Sequence, residues 1–351
     1  MSGLKVTMYA LVALAVAVVA FSMFSGSSAS KKQTNSSPIT VRWLLAHQPT
    51  SVFDRATKVF SDTLAKEGDG MTLQIVTPRE IGYTSGDVPH SEVLNQLSTG
   101  KAEMASAYTV ALGQNDSSLW ALTLPYLFAS YDGLPAILDG QVGQQLLSTV
   151  ENANSGIRGL AFTLSGGFRI IVSKNTAIHS LADLKGLHIA TSGGPVAEAT
   201  LKALGAIPVS TNLENGAQSF DAATIDGVET TYSRLAEVLG GKAEYTKYIN
   251  ETNHSMFLTA IIVNKDFYDS LSVKNQAAMK DAAMAAAAVE RNDSIALGDS
   301  VKSQLLAEGS VVSTPSSQTR DIFAKATAAV YAQFSPTVGA DIIRDLVNEQ
   351  K

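Results

Sequence analysis

The chain has 351 residues, of which 45% are hydrophobic and 17% are charged, and its formal net charge is −6. This length and composition are typical of a globular protein with two lobes, and the lack of cysteine excludes disulfides, thiol catalysis and cysteine metal sites. The acidic balance, without a basic stripe, argues against a nucleic acid partner.

The N-terminal segment predicts export. Lys5 precedes an apolar run from Met8 to Phe24, and small residues follow. This is the pattern of a cleaved signal peptide, so we assign residues 1–30 to the signal peptide and cleavage region and residues 31–38 to a polar lead-in. The run is also about as long as the shortest spanning helix, so an uncleaved membrane anchor is the alternative. Either way, we expect a periplasmic protein.

From Ile39 onward, strand and helix patterns alternate. In chain order the patterns predict a strand at 41–45, a helix at 53–66, a strand at 71–76, a helix at 92–99 and a strand at 102–108. Such alternation predicts an α/β fold with mainly parallel sheets.

A second block begins near Ile157. The patterns predict strands at 158–163, 168–173, 187–190 and 225–229, a helix from 195 to 204, and a strand at 260–264 that returns to the first block. The stretch 273–308 lacks proline and has one glycine, Gly298. It predicts a helix on the order of 50 Å long that lies across both blocks. Two helices broken near Gly298 are the alternative.

Motifs for catalysis and cofactors are absent from the sequence. No two of the five histidines have i, i+4 spacing, and no nucleophile elbow, P-loop or dinucleotide fingerprint is present. We therefore expect no catalytic residues, no metal and no cofactor.

Six stretches carry a family resemblance. They are Leu-Asn-Gln-Leu-Ser-Thr-Gly-Lys-Ala-Glu-Met at 94–104, Leu-Pro-Tyr-Leu-Phe at 124–128, Gly-Phe-Arg at 167–169, Leu-Ala-Asp-Leu-Lys-Gly-Leu at 181–187, Lys-Ala-Leu-Gly-Ala-Ile-Pro-Val at 202–209 and Ile-Asp-Gly-Val-Glu at 225–229. In this order and spacing the chain resembles the extracytoplasmic solute-binding proteins of tripartite ATP-independent periplasmic (TRAP) transporters, of the dicarboxylate-binding-protein type.

The resemblance implies a two-lobed periplasmic binding protein, or Venus flytrap, with crossovers between lobes and a long bridging helix. It implies lobe I at 39–165, lobe II at 166–254, a return to lobe I at 255–294 that includes the start of the long helix, and C-terminal helices at 295–351 mainly in lobe II. It also implies a receptor that binds a small organic acid or other polar metabolite between the lobes and delivers it to TRAP membrane permease subunits. Such a receptor is not an enzyme.

The resemblance places a ligand-binding arginine at Arg169. A guanidinium fork fits a carboxylate through two hydrogen bonds, although a surface ion pair is the alternative role. Where the family usually has a second arginine, this chain has Ala190. Thr230 replaces an expected asparagine, and Leu213 replaces an expected aromatic residue.

These departures leave three accounts of the ligand open. It is a smaller carboxylate held by Arg169 alone, or a neutral or zwitterionic molecule held by hydroxyls such as those of Thr191, Ser192 and Thr230. In the third account another cation replaces the arginine that is missing at Ala190. His90 is a candidate for this cation, and the alternative is that His90 is a solvent-facing loop residue.

Further cleft candidates follow strand ends, where open α/β sheets bind ligands. They are Ala46, His47, Tyr108 and Thr109 in the first lobe and Tyr232 in the second. His47 either donates to an anion or serves in packing, and Tyr108 is suited to stack on a ligand.

Three other functions remain open at this stage. They are a binding protein that signals to a kinase or chemoreceptor, an exported enzyme on the same scaffold, and a membrane-tethered structural protein.

Overall fold

The computed structural model describes residues 38–84, 86–152, 156–212, 222–238 and 246–350. The predicted leader and Leu213 lie outside the described residues.

Eleven strands and twelve helices are described, together with short 3₁₀ turns. The strands are β1 (Ile39–Leu45), β2 (Met71–Val76), β3 (Met104–Tyr108), β4 (Ile157–Phe168), β5 (Ile170–Ser173), β6 (His188–Thr191), β7 (Ile207–Ser210), β8 (Gly227–Thr230), β9 (Tyr248–Asn250), β10 (Met256–Asn264) and β11 (Val311–Ser313). The helices are α1 (Asp54–Glu67), α2 (His90–Ser98), α3 (Thr109–Leu112), α4 (Leu134–Leu138), α5 (Gln141–Asn152), α6 (Leu181–Leu184), α7 (Gly194–Ala203), α8 (Tyr232–Val238), α9 (Lys265–Ser270), α10 (Val273–Ala307), α11 (Ser317–Val338) and α12 (Ala340–Asn348).

The strands form two separate sheets, one for each lobe. The first sheet has the order β2-β1-β3-β10-β4, and the second has the order β11-β9-β5-β8-β6-β7. β1 pairs in parallel with β2 and β3, and β6 pairs in parallel with β7 and β8. However, β10 runs antiparallel to β3 and β4, and β5 runs antiparallel to β8 and β9. In each sheet every strand runs in the same direction except the one that arrives from the other lobe, which is β10 in the first sheet and β5 in the second. Both sheets are therefore mixed but mainly parallel, as predicted.

The extended segments that join the two sheets cross between the lobes at two adjacent places. β4 ends at Phe168 and β5 begins at Ile170, so Arg169 is the crossing residue. The segment that returns to the first lobe contains Ser255 and Met256. The N–H of Arg169 donates to the carbonyl oxygen of Ser255 at 2.9 Å, and Met256 pairs with Phe168. The two crossing segments thus lie side by side.

β4 continues through Gly166 and Gly167, where the sequence predicted a break between two strands. β10 remains paired with it as far as Phe168, across register shifts in the ladder. Gly167 has a φ of 74°, and a Cβ atom there would collide with the Tyr131 hydroxyl. The glycine is needed because this backbone conformation and this close contact both exclude a side chain.

The first lobe buries apolar side chains on both faces of its sheet, as period-two alternation requires. One face packs Leu44, Ala105 and Phe162, and the opposite face packs Trp43 and Phe60. Both layers exclude water, since each of these side chains is fully buried.

The 35-residue helix α10 is unbroken, which confirms the single long helix. The Ser272 side chain caps it by accepting from the N–H of Asn275. Its first half packs alanines such as Ala282 and Ala286 in the first lobe, whereas Val301 and Leu305 pack in the second. At about 1.5 Å per residue it is long enough to lie on both.

The C-terminal helices differ from the expectation that they belong mainly to the second lobe. Phe323 packs with Leu201 in that lobe, but Val330, Phe334 and Leu346 pack in the first. The apolar stripe of α11 is long enough to cover both lobes. None of the described helices is both long and apolar enough to cross a membrane.

Candidate functional site

A cavity of about 710 Å³ opens between the two sheets. The first lobe lines it with Ala46 and His47, which follow β1, and with the end of β3. The second lobe lines it with Thr191 and Ser192 at the end of β6 and with residues 210–212 at the end of β7. Both sheets therefore direct the carboxyl ends of parallel strands at one space, which is where open α/β sheets bind ligands.

The first-lobe wall also includes residues 87–91, Val93 and Leu94, together with Val110 and Ala111 of the short helix α3. His90 begins α2, and its Nε2 lies 3.1 Å from Asn115 Oδ1. Burial lowers the pKa of His90 although this hydrogen bond opposes the change. The imidazole is therefore neutral near pH 7.

The second-lobe wall is built around the start of α7. Gly194 has a φ of 71°, and a Cβ atom there would lie 2.6 Å from Cγ1 of Val110 in the first lobe. The two lobes thus approach closely at this edge, and only glycine fits. One turn further, Glu198 also lines the cavity and accepts a hydrogen bond from the Ser210 hydroxyl.

His47 is the buried polar side chain that faces the cavity without a partner. It is 3% exposed, and neither ring nitrogen has a hydrogen-bond partner among the described residues. Its ring packs edge-on against Phe53 and Phe257 at 5.9 and 6.3 Å between centroids. Burial lowers the pKa of His47 to about 4, and Asp87 offsets this only in part. A neutral imidazole here offers one donor and one acceptor to a ligand.

Tyr108 forms part of the cavity wall, and Arg169 lies behind it. Arg169 Nη2 donates to the Tyr108 hydroxyl, and Nη1 donates to Glu229 Oε2 at 2.9 Å. The Tyr108 ring stacks on Phe257 with centroids 4.5 Å apart, and the guanidinium carbon of Arg169 lies 5.2 Å from the Phe257 centroid. Arg169 is 2% exposed and does not line the cavity. The guanidinium is linked to the cavity wall through Tyr108 and, by way of Glu229, through Thr191.

Glu229 accepts several hydrogen bonds at the junction of the lobes. Besides Arg169, it accepts from the Thr191 hydroxyl and from His254 Nε2, the latter at 2.7 Å. His254 Nδ1 lies 2.8 Å from Thr252 Oγ1. Burial alone would raise the pKa of Glu229, but Arg169, His254 and Thr191 outweigh it and lower the pKa to about 2. Glu229 is therefore an ionised carboxylate in the protein interior.

A second buried ion pair joins the two lobes at the cavity edge. Arg234 on α8 donates to Asp87 Oδ2 at 3.1 Å and to the carbonyl oxygen of Gln48 at 2.6 Å. Arg234 follows β8 of the second sheet, whereas Asp87 precedes α2 of the first lobe. The charge of Arg234 is compensated by a first-lobe carboxylate.

The sequence candidates divide into two groups. Those that line the cavity are Ala46, His47, His90, Tyr108 and Ser192. Those that do not line it are Thr109, Arg169, Ala190, Thr230 and Tyr232. Leu213 lies outside the described residues.

The residues of the second group have other partners. The Thr109 hydroxyl donates to Leu258 O at 2.9 Å, and the Tyr232 hydroxyl donates to Glu251 Oε1 at 2.9 Å. Ala190 is fully buried in the second-lobe core, and Thr230 pairs with Ile170.

Sequence reasoning did not identify Asp87, Glu198, Arg234 or His254 as parts of this region. Glu229 was noted only as the end of a motif. These residues are recognisable only through the pairs that they form, such as Arg234 with Asp87. Because these two residues are 147 positions apart in the sequence, no local pattern reveals the pair. Within the described part of the chain, no three histidine, aspartate or glutamate side chains are grouped to hold a metal ion.

Comparisons with known proteins agree with this geometry. The sequence model of the family described as bacterial extracellular solute-binding protein, family 7, matches residues 47–337. The C4-dicarboxylate-binding periplasmic protein of Rhodobacter capsulatus is 30% identical over 237 residues, which are 67% of each chain.

Solved structures share the fold. A TRAP periplasmic solute-binding protein from Shewanella oneidensis with bound succinate has a TM-score of 0.77 at 21% identity, covering 90% of this chain and 100% of its own. The sugar acid binding protein of Advenella mimigardefordensis, in complex with galactonate, has a TM-score of 0.77 at 21% identity, covering 90% and 98%. These structures confirm the two-lobed α/β architecture.

Proposed function

The chain belongs to family 7 of the bacterial extracellular solute-binding proteins, the receptors of TRAP-type transporters, and we propose that it captures a small polar metabolite in the cavity between its lobes. From the periplasm it delivers this metabolite to membrane permease subunits. The Rhodobacter capsulatus relative is named for C4-dicarboxylate binding, and the two solved neighbours hold succinate and galactonate.

The cavity is the observation that carries this proposal. Its volume of about 710 Å³ lies within the range of small-molecule sites, and hydrogen-bonding groups line it from both lobes. His47 and Tyr108 face the ligand from the first lobe, and Thr191 and Ser192 face it from the second. A ligand that contacts both walls stabilises the closed form, because it binds that form better than an open one.

Arg169 acts in this scheme as a positioning residue. It holds the Tyr108 hydroxyl from behind while Glu229 compensates its charge. The ion pair of Arg234 and Asp87, which joins the lobes at the edge of the cavity, also stabilises the closed form.

Binding occurs without chemical conversion of the ligand. Glu229 and His254 are hydrogen-bonded to each other in the interior and do not line the cavity. A general acid or base must reach the proton that it transfers.

The test is a thermal-shift screen of the leaderless protein against organic acids, sugar acids, amino acids and polyols, followed by calorimetry. A ligand raises the melting temperature by mass action. We expect His47→Phe, which keeps a ring but removes both nitrogens, to weaken the calorimetric affinity of the identified ligand by roughly fivefold, since a net hydrogen bond contributes about 1 kcal/mol. His188→Phe is the matched control, because His188 does not line the cavity and its side chain is 45% exposed.

Two results would contradict the proposal. One is that no compound of any class raises the melting temperature. The other is that a compound binds His47→Phe and the wild type equally well, which would place its site outside this cavity.

A further inference from the structure

The imidazole of His47 has hydrogen-bonding capacity that no described residue uses. It lines the cavity and is 3% exposed, yet neither ring nitrogen has a hydrogen-bond partner among the described residues. Buried polar groups in native proteins are normally paired, so an unpaired group on a cavity wall indicates the position of a ligand atom. We therefore expect a polar group of the ligand to contact this ring.

Two histidines are the only described lining residues whose side chains can acquire a positive charge. They are His47 and His90. His90 is partly buried, and its Nε2 already lies 3.1 Å from Asn115 Oδ1. A bound ligand changes the surroundings of His47 more than those of His90, because His47 has no partner to give up.

Two charged side chains act on His47 from the junction of the lobes. Asp87, in the segment before α2, raises the pKa of the imidazole, and Arg234 on α8 lowers it. The Asp87 carboxylate is already compensated, since it accepts from Arg234 Nη2 at 3.1 Å and from the N–H of Gln48 at 2.8 Å. The backbone of Gln48 also raises the pKa of His47, but burial outweighs these effects and lowers it to about 4. Without a ligand, His47 lacks the counter-charge that an imidazolium needs.

The other elements packed against His47 do not supply this counter-charge. The ring contacts Phe53 of the 3₁₀ turn after β1 and Phe257 of β10, both of which are uncharged. Further titratable or charged groups lie on the cavity wall or directly behind it, namely Tyr108, His90, Glu198, Arg169 and Glu229. Among the described charged side chains, only Asp87 and Arg234 alter the pKa of His47.

A ligand carboxylate that contacts His47 would change this balance. A counter-charge within about 4–6 Å shifts a pKa by about 1–3 units, and a charge-assisted hydrogen bond is stronger than a neutral one. From its starting value of about 4, the pKa of His47 would rise to about 5–7. This is the range in which histidine normally gains or loses its proton.

We infer that the receptor binds an organic acid together with one proton, which His47 takes from solvent as the ligand carboxylate settles against its ring. A ring N–H of the imidazolium donates to the carboxylate, and no bond of the ligand is made or broken. The proton stays on the ring only while the acid is bound, so the affinity for an acid increases as the pH falls. This inference rests on the proposed receptor function and adds a regulation of its site.

Calorimetry of the leaderless protein tests this inference with D-galactonate, D-glucuronate and D-lactate as probes. An electron-withdrawing oxygen beside each carboxyl group keeps these probes ionised at pH 5, so a pH effect on binding arises in the protein. For a rise in the pKa of His47 from about 4 to about 6, we expect each acid that binds to bind about tenfold more tightly at pH 5 than at pH 8.

Proton uptake is measured separately from affinity. Titrations at pH 6 in buffers of different ionisation enthalpy should show that the protein takes up about half a proton for each acid bound, given the same two pKa values. Galactitol, which has no charge, is the control ligand and should cause no uptake.

Two variants assign the proton to one ring. His47→Gln keeps a neutral donor and acceptor but cannot take up a proton, so it should lose both the tenfold pH effect and the proton uptake. His90→Gln is the matched control in the other lining histidine. Whatever its effect on affinity, its ratio of affinities at pH 5 and pH 8 should equal that of the wild type.

The possible failures are distinguishable. Equal affinity for acids at pH 5 and pH 8 overturns the inference while the receptor function stands. A pH effect that His47→Gln retains, or that His90→Gln loses, overturns it as well, and so does a screen in which only uncharged or cationic compounds bind. Failure of every compound of every class to bind overturns the receptor proposal itself.

Discussion

Replacing Glu229 by glutamine would leave Arg169 as a buried cation without its carboxylate. Loss of one partner from a buried pair destabilises a fold by about 3–5 kcal/mol. The same interaction with Arg169 helps to lower the pKa of Glu229 from 4.5 to about 2 in the fold, which is on the order of 3 kcal/mol at about 1.4 kcal/mol per unit. We therefore expect Glu229→Gln to lose on the order of 3 kcal/mol at pH 7.

The sign of the pH dependence follows from the same shift. Because the folded-state pKa of Glu229 lies below its unfolded value, its contribution is fully present above about pH 4.5 and is lost as the pH falls toward 2. The difference in unfolding free energy between the wild type and Glu229→Gln should therefore shrink over this interval. Urea unfolding followed by circular dichroism at several pH values measures it.

A matched control and a double variant complete this experiment. Asp62→Asn makes the same change in an exposed pair with Lys58 and should cost less than about 1 kcal/mol. Combining Glu229→Gln with Arg169→Met removes both charges and should cost less than the sum of the two single changes. If Glu229→Gln costs no more than Asp62→Asn, the buried pair does not exist in solution as described.

Three further results are expected. Burial raises the pKa of Glu290 to about 7, above its unfolded value, so the unfolding free energy of the wild type should fall by up to about 3 kcal/mol as the pH rises from 4.5 through 7. In urea titrations Glu290→Gln should lack this dependence of the unfolding free energy on pH. Equal pH dependence in the two proteins would refute the assignment. Arg234→Met removes the pair with Asp87 and should enlarge the ligand-free radius of gyration in X-ray scattering, which would stay constant if the pair did not hold the lobes together. Gly167→Ala should lower the melting temperature more than Gly186→Ala, because both have positive φ but only the former meets a neighbouring side chain; equal losses would contradict this.

Local patterns predicted most of the elements. The strand at 71–76 has the predicted bounds, because alternation and a preceding glycine mark its start. The alternation could not show that β4 passes through Gly166 and Gly167. There the strand is held by pairing with β10 and by Glu290, which accepts from the N–H groups of Leu164 and Ser165 at 2.8 and 2.7 Å. These contacts come from residues far along the chain.

The site was predictable in position but not in charge state. The strand-end rule, which depends only on topology, named His47 and Tyr108, which line the cavity, but also Thr109 and Tyr232, which do not. The family motif placed Arg169 at the junction of the lobes. Which way its guanidinium turns depends on Glu229, 60 residues later, and on burial, and neither quantity is written in a local pattern.

The adjacent chain crossings have a mechanical consequence. Two segments joined by the Arg169–Ser255 hydrogen bond bend readily across their width but resist sliding along their length, since sliding would break the ladder between Phe168 and Met256. This pairing favours rotation of the lobes about the crossing segments over sliding along them. A pair of fluorescent labels, one in each lobe, would measure such a rotation as a change in the distance between them.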